Sequence, residues 1–478
     1  MSRVRTVRGA VRAGRRPVRT WALLGAAATL ALSGCTDTTP SSDPTPTKKP
    51  TPQAVPLELG VVGTDVEIAE YREMVKEYNA STTAAKVSVV AWPTTAQAHE
   101  AVVAGDVPDV FVSSRGDLAD LIAGEKVVPV GELLDERGVD FGDKFARDAV
   151  EAFGSDAKLQ CMPYSVSPQV VFYNTDLIDF DKMRERGLNV PSKLDRWTWN
   201  QFSTAAQVAT KPRRKIAGFH VDADLRGIAP FVHSAGGKLF DDEDNPTALA
   251  FSDSETVEAL EKVLPVLRDP RLTLSPERLE KASAVEWFKR GKLGMVVGNR
   301  SLVPELRATE GLNFDVIAIP YVEKAATIGD LTGLCMSAAT KDRNAAADLM
   351  ASLVSDESVA RIAELGYMMP ANVSVSGSEV VQQPDQMPEH SEVFASTVRF
   401  MAIPPLLNVW EELQAAVDSL VADLLTAEPL LDLEETTAAI DEASRAILDP
   451  DGDGEAEDPT EPSETPGSGS PTAEPSTS

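Results

Sequence analysis

The sequence is poor in the residues that most often carry covalent chemistry. Its 478 residues include three cysteines and four histidines, and the histidines are scattered at positions 99, 220, 233 and 390. It contains no G-x-S-x-G, H-E-x-x-H, Walker-loop or C-x-x-C motif. These absences leave an enzymatic activity without support, and we expect neither catalysis nor a cofactor. Four residues with metal-binding groups lie near one another in the sequence: His220, Asp222, Asp224 and His233. Solvated loop residues are the favoured interpretation of this group, so no metal site is expected.

Basic residues are also scarce. The chain has 45 lysines and arginines against 74 aspartates and glutamates, a formal net charge of −29. Seven of the arginines lie within the first 20 residues, so the rest of the chain is more acidic still. Nucleic acid and anionic lipid attract basic surfaces. The charge balance therefore excludes nucleic acid as an expected partner.

The first cysteine follows a short apolar segment near the amino terminus. The arginine-rich start and the run WALLGAAATLAL at 21–32 are typical of a secretory signal peptide. Twelve residues are too few for a membrane-spanning helix, which needs about 20. Leu32-Ser33-Gly34-Cys35 resembles the bacterial lipobox, so residues 1–34 are expected to be a lipoprotein signal peptide and Cys35 the lipidated residue. The alternative is an ordinary signal peptide with an incidental cysteine.

Two low-complexity segments flank the expected globular part. Residues 35–56 form a Pro/Thr-rich linker and 449–478 an acidic tail, and neither composition can bury a core, so both are expected to be disordered. The intervening length is too great for one hydrophobic core and predicts two domains. Cys161 and Cys335 lie in this part, where they can form a disulfide or remain buried free thiols.

Strands and helices alternate in the first part of the globular region. Segments 57–63, 86–92 and 109–114 read as strands, with helical patterns between and after them. This alternation predicts an α/β fold with a mostly parallel sheet. Because ligands of such sheets bind at the carboxyl ends of the strands, Asp65, Ser113, Ser114 and Arg115 are candidate site residues.

Several segments resemble family 1 of the extracytoplasmic solute-binding proteins of bacterial ABC importers, the group that is similar to maltose-binding protein. The segments occur in the family's order and cover most of residues 57–447. They are PDVFVSS (108–114), CMPYSVSPQVVFYNTDLI (161–178), WTWNQF (197–202), AGGKLFDD (235–242), WFKRGKLGMVVGN (287–299), GLCMSAAT (333–340) and YMMPAN (367–372).

The resemblance implies a periplasmic-binding-protein-like fold of type II. It has two discontinuous α/β lobes joined by a hinge, with the ligand cleft between them. Lobe 1 is expected to comprise 57–163 and 337–385, and lobe 2 to comprise 164–336 and 386–448. The crossings fall near 162–167 and 333–337, which brings Cys161 and Cys335 onto neighbouring segments and leaves their pairing open.

The resemblance also implies binding residues. Ser113, Ser114 and Arg115 match a place where the family contacts sugars, and Tyr164, Ser165 and Ser167 match the hinge floor. Trp410 matches a position that stacks on a sugar ring, although packing in the core is the alternative for it. Where the family has Gly-Ser-Trp, this chain has Asn299, Arg300 and Ser301, so one aromatic platform is missing and Arg115 and Arg300 are expected at the cleft. This favours a small polar solute over a long oligosaccharide.

Three functions are compatible with these features. The leading hypothesis is a monomeric receptor, anchored by lipidated Cys35 to the outer face of the cell membrane, that delivers a small polar solute, a carbohydrate or a derivative, to an ABC permease. The second is a ligand-sensing or partner-binding lipoprotein with the same fold and no transport role. The third, a secreted hydrolase, requires a pair of cleft carboxylates about 5–9.5 Å apart, for which the sequence offers no motif.

Overall fold

The computed structural model describes residues 54–427 and 431–452. The predicted signal peptide, Cys35, most of the linker and most of the acidic tail lie outside these residues. Among the described residues the strands are β1 Val55–Val62, β2 Ala85–Trp92, β3 Val110–Ser114, β4 Gly154–Ser155, β5 Lys158–Leu159, β6 Cys161–Pro168, β7 Val170–Asn174, β8 Ala217–His220, β9 Leu293–Gly298, β10 Phe314–Ile317 and β11 Gly329–Met336.

Helices are interspersed with these strands. The first group is α1 Asp65–Ser81, α2 Thr95–Ala104, α3 Leu118–Ala123, α4 Gly131–Asp135, α5 Arg147–Ala152, α6 Phe180–Glu185, α7 Trp199–Ala209, α8 Leu225–Ser234 and α9 Ser254–Leu267. The second is α10 Pro276–Leu279, α11 Ala284–Lys289, α12 Val303–Arg307, α13 Arg343–Leu353, α14 Asp356–Glu364, α15 Val373–Ser376, α16 Glu379–Gln382, α17 Glu392–Thr397, α18 Trp410–Thr426 and α19 Leu433–Leu448. No helix in the described ranges has both the length and the apolar character needed to cross a bilayer.

The first sheet has five strands in the order β2-β1-β3-β11-β6. Strands β1, β2 and β3 are parallel, as the alternating pattern predicted, whereas β11 pairs antiparallel with both β3 and β6. Helices α1 and α2 cover β2, and Ile68, Tyr71 and Val75 of α1 are buried, as the helical spacing indicated. We call this sheet, with α1–α5 and α13–α16, the first lobe.

The second sheet has four strands in the order β10-β7-β9-β8. Side chains of β7 alternate between its two faces. Phe172 belongs to the buried cluster that also fills the first lobe, and Val171 and Tyr173 belong to a separate cluster with α7, α8, α9 and α18. We call this sheet, with α6–α12, α18 and α19, the second lobe. One continuous core therefore runs from the first lobe to one face of the second sheet.

Helix α7 illustrates how local sequence defines an element. Thr198 caps it, and Gln201 completes a capping box by accepting a hydrogen bond from the Thr198 backbone N–H. The helix begins at Trp199, directly after its cap. Trp197 and Trp199 are both buried in the core of the second lobe.

The lobes are connected by strands that belong to the first sheet and continue toward the second. Strand β6 leads through Gln169 into β7, and β11 follows β10 after an irregular segment. The predicted boundary at residue 336 assigned β11 to the second lobe, whereas its hydrogen bonds are with β3 and β6 of the first. The residue at which the two lobes separate when the cleft opens and closes therefore remains a prediction.

Cys161 and Cys335 form a disulfide bond. They are directly opposite each other on β6 and β11, and at most 1% of either residue is exposed. Gly333 of β11 lies at the register shift between the two strands, and an added Cβ there would come within 2.6 Å of the Phe153 ring. The disulfide therefore joins two closely packed strands, and the alternative of free thiols is excluded.

Replacing both cysteines by serine should destabilise the protein strongly. The disulfide links residues 174 positions apart, and loop closure of that length contributes about 5 kcal/mol in the chain-entropy model. Denaturant unfolding of the wild type and of the double variant Cys161→Ser/Cys335→Ser measures the difference. A difference below about 1 kcal/mol, or two free thiols titrated in the unfolded wild type, would contradict the pairing.

Candidate functional site

A large cavity lies between the two lobes. Its volume is about 960 Å³. The first lobe contributes α2, the end of β3 and the 3-10 helix Arg115–Asp117. The second lobe contributes Arg226 of α8 and the start of α18, and the chain at 404–408 runs along one side. The cavity therefore lies where the carboxyl end of a sheet strand faces the other lobe.

Arg115 directly follows β3, and its side chain donates hydrogen bonds to two other segments of the chain. Its Nε donates to the Ala152 carbonyl at 2.9 Å and its Nη1 to the Pro405 carbonyl at 3.5 Å. Burial lowers the pKa of Arg115 to about 10, so the guanidinium remains charged at neutral pH. Ser114 precedes it, lines the cavity and is exposed.

His99 lies between acidic groups of both lobes. Its Nδ1 lies 2.7 Å from an Asp117 oxygen, and its Nε2 lies 3.6 Å from an oxygen of Glu411 on α18. Partial burial lowers the pKa of His99, but the hydrogen bond and the charges of Asp117, Glu411 and Asp120 outweigh burial and raise it. Ser113 supports this arrangement because its Oγ donates to Asp117 at 2.8 Å.

Asp330 is the second residue of strand β11 and binds two side chains of the second lobe. Its carboxylate accepts hydrogen bonds from Arg226 and from the side-chain amide of Asn299. Asp330 and Arg226 line the cavity and are each more than one-third exposed. They present a fixed ion pair to anything that enters between the lobes.

Trp410 is the aromatic residue of the cavity wall. It is the first residue of α18, and its ring centroid lies 6.2 Å from that of Phe240. The side chain is half-buried and leaves part of the ring facing the cavity. An aromatic face of this kind can pack against the apolar C–H face of a sugar.

Comparison with known proteins defines the family. The model of a family described as bacterial extracellular solute-binding proteins matches residues 73–389. The chain belongs to this family. The description names proteins that bind solutes outside the cytoplasm, and the implied class and extracytoplasmic location are thereby confirmed in general terms.

Solved structures of solute-binding proteins share the fold at low sequence identity. The ABC substrate-binding protein Lmo0181 of Listeria monocytogenes, solved with cycloalternan, is 20% identical with a TM-score of 0.68; the match covers 82% of this chain and 99% of that one. The GacH receptor of Streptomyces glaucescens, solved unliganded and with acarbose, is 18% identical with a TM-score of 0.65, over 83% and 98% of the two chains. These likenesses establish the two-lobed α/β fold.

A curated relative has no established function. An uncharacterized lipoprotein of Streptomyces antibioticus, from the region 5′ of oleD, is 25% identical over 179 residues. The match covers 36% of this chain and 37% of the relative, so this solute-binding protein spans little more than a third of that protein's length.

Three of the predicted site residues line the cavity: Ser114, Arg115 and Trp410. Asn299 lies behind it, bonded to Asp330. Asp65 is exposed at the start of α1 and lies outside the cavity wall. Ser113 is 98% buried and orients Asp117, so it supports the cavity from behind.

Tyr164, Ser165 and Ser167 do not form the cavity floor that the resemblance implied. All three are buried in β6, and residues 369–371 cover the free edge of that strand with backbone hydrogen bonds. The Tyr164 hydroxyl accepts a hydrogen bond from Tyr71, and burial raises the pKa of Tyr164 to about 12. Ser165 pairs with Thr332 at 2.7 Å. These residues stabilise the hinge strands.

Arg300 points away from the cleft, contrary to expectation. It is completely buried, donates to the Val381 carbonyl and lies over the Phe394 ring at 5.6 Å. Burial, and then the charge of Arg307, lower the pKa of Arg300 to about 10. The prediction that Arg300 faces the cleft was wrong. Its partners Val381 and Phe394 are 81 and 94 positions away in the sequence and contact it only in the folded chain.

Four residues that line the cavity were not predicted from the sequence: His99, Asp117, Arg226 and Asp330. Asp117 follows a predicted strand end by three residues, the same signal that selected Ser114, and could have been included. Arg226 and Asp330 are 104 positions apart and no motif links them. Their pairing depends on how β11 crosses between the lobes.

Substituting His99 by glutamine should reduce stability more at low pH than at high pH. Since the folded-state pKa is raised, the contribution of His99 is complete below its unfolded pKa of about 6.5 and is lost as the pH rises through the folded value. We expect His99→Gln to lower the melting temperature by about 2 °C at pH 5.5 and by less at pH 8.5. Equal losses at both pH values would contradict a charged His99.

Proposed function

We propose that this solute-binding protein is the lipid-anchored receptor of an ABC importer for a small polar solute, a carbohydrate or a carbohydrate derivative. The observation that carries the proposal is the cavity between the lobes, where the half-exposed Trp410 faces polar groups of the first lobe. The cycloalternan and acarbose complexes of the two solved relatives support the choice of ligand class.

The cavity offers the two kinds of contact that a sugar requires. Trp410 supplies a flat apolar surface, and Ser114, Asp120 and Asp330 supply polar atoms for hydroxyl groups. Sugar hydroxyls that enter a closed cleft must be paired, because a buried hydroxyl without a partner costs about 1–3 kcal/mol. The single tryptophan in the cavity wall favours a mono- or disaccharide-sized ligand.

Closure of the cleft would signal occupancy to the permease. Contacts already cross between the lobes at His99 and Glu411, and Arg115 reaches Pro405 at the cleft wall. A ligand that contacts both lobes adds to these interactions and shifts the population toward the closed form. No covalent chemistry is part of this function.

The proposal of a lipid anchor is based on the sequence near the amino terminus. Cys35 lies outside the described residues, and its lipidation is inferred from the lipobox-like Leu32–Cys35 and from the lipoprotein relative. Two or more acyl chains would hold the receptor stably at the membrane, whereas one chain is marginal.

A ligand screen with matched tryptophan variants tests the cleft. The described residues from Ala54 onward belong to one compact unit, so the chain from Pro52 to Ser478 is suitable. Thermal shifts against sugars, sugar acids, polyols and amino acids should identify a carbohydrate ligand. Trp410→Ala should then raise its Kd about tenfold or more, since stacking and apolar burial are both lost.

Trp287→Ala is the matched control. Trp287 lies on α11 between Arg278 and Arg290 and is not part of the cavity wall, so its loss should leave the Kd unchanged. Equal losses of affinity in both variants, or a folded chain that binds no carbohydrate at all, would contradict the proposal.

Replacing Cys35 by serine tests the anchor separately. In a bacterial host supplied with a labelled fatty acid, the wild type should carry the label and sediment with membranes. Cys35→Ser should carry no label and remain in the soluble extracytoplasmic fraction. Labelling of the serine variant, or an unlabelled wild type, would refute lipidation at this residue.

A further inference from the structure

A second cavity opens beside the first on the side of the second lobe. Its volume is about 470 Å³, within the range of about 300–1,000 Å³ that is usual for small-molecule sites. The two cavities share Arg226, Gly329, Pro404, Pro405 and Trp410 in their walls. They are therefore neighbouring compartments of one cleft, with Trp410 at their boundary.

The walls of the second cavity are mainly apolar. Leu225 and Ala229 of α8, Phe240 and Ile328 form much of the lining. The charged residues Glu243, Lys324 and Arg399 are exposed and lie at its rim. His233 also contributes, but burial and then the charge of Lys324 lower its pKa to about 4, so the imidazole is neutral at physiological pH.

An irregular apolar segment runs along both cavities. Residues 400–407 read FMAIPPLL, lie outside any helix or strand after Phe400, and are all only half-buried. Residues 399–405 line the second cavity and 404–408 the first. Backbone hydrogen bonds between Thr327 and both Phe400 and Ala402 hold the segment in place. Eight consecutive apolar residues left partly open to water form the kind of surface that marks a ligand groove.

We infer that the ligand is amphipathic: a glycoside whose sugar occupies the first cavity and whose apolar aglycone occupies the second. This inference rests on the proposed function and narrows its substrate class. A fully polar sugar would cover Trp410 and the polar wall but would leave the apolar segment 400–407 in contact with water. An apolar substituent on the same sugar would bury that surface, and continuity at Trp410 allows one molecule to reach both cavities.

Paired glycosides test the inference directly. Methyl and hexyl glycosides of glucose, galactose, mannose and maltose are titrated calorimetrically into the chain from Pro52 to Ser478. Each fully buried methylene should lower the Kd about fourfold, so a hexyl glycoside should bind at least about tenfold more tightly than its methyl counterpart. The heat-capacity change should also be more negative, as apolar burial requires.

The outcomes separate this inference from the function on which it rests. If methyl and hexyl glycosides bind equally well, the apolar subsite is refuted and the carbohydrate receptor stands. If neither binds to a folded chain, the carbohydrate receptor is itself contradicted, and the inference falls with it. Tighter binding of the hexyl compound supports both.

A charged substitution locates the effect in the second cavity. Ile403 lines this cavity and is absent from the first, so Ile403→Glu should abolish the advantage of the hexyl glycoside. Val373→Glu is the matched control, because Val373 is 47% exposed and lines neither cavity, and it should preserve the advantage. A hexyl advantage that survives in a folded Ile403→Glu variant would place the apolar contact elsewhere and overturn the assignment.

Discussion

The pairing of β6 with β11 is the constraint on which the rest of the structure depends. These two strands carry the chain between the sheets, and they are joined by seven antiparallel residue pairs and by the Cys161–Cys335 disulfide. Because both strands are fixed to the first sheet, the position of the second lobe follows from where they leave it. Asp330, near the start of β11, holds Arg226 and Asn299 at that point. The fold thus places a fixed polar group at the base of the space between the lobes.

The cleft combines two surfaces of different character. The first lobe presents the 3-10 helix after β3, with Asp117 supported by Ser113 and His99. The second lobe presents Trp410 and the apolar segment that precedes it. Polar groups fixed by neighbouring hydrogen bonds suit the recognition of hydroxyls, and a half-exposed apolar wall suits a hydrophobic substituent. In the proposed function a ligand would contact both lobes, and this would couple binding to closure.

Much of the fold could be predicted from local patterns, whereas much of the cleft could not. The β1–α1–β2–α2–β3 series followed from hydrophobic periodicity because each element buries its own apolar face. The side chains of Tyr164 and Ser165 are buried against Tyr71 and Thr332, which are 93 and 167 positions away in the sequence. Arg300 likewise meets Val381 only through long-range packing. Ser114 and Arg115 line the cavity because they follow the carboxyl end of a strand, which the local pattern predicted, whereas the position of Trp410 followed only from the family resemblance. Their contact with a ligand stays a prediction.

Hydrogen exchange with and without a bound glycoside measures the central claim, that one ligand contacts both lobes within the cleft. We expect increased protection at residues 114–117 of the first lobe and at 400–411 beside the second, with little change on the outer faces of α9 and α14. Protection confined to one lobe, or located away from both segments, would contradict a cleft that closes on its ligand.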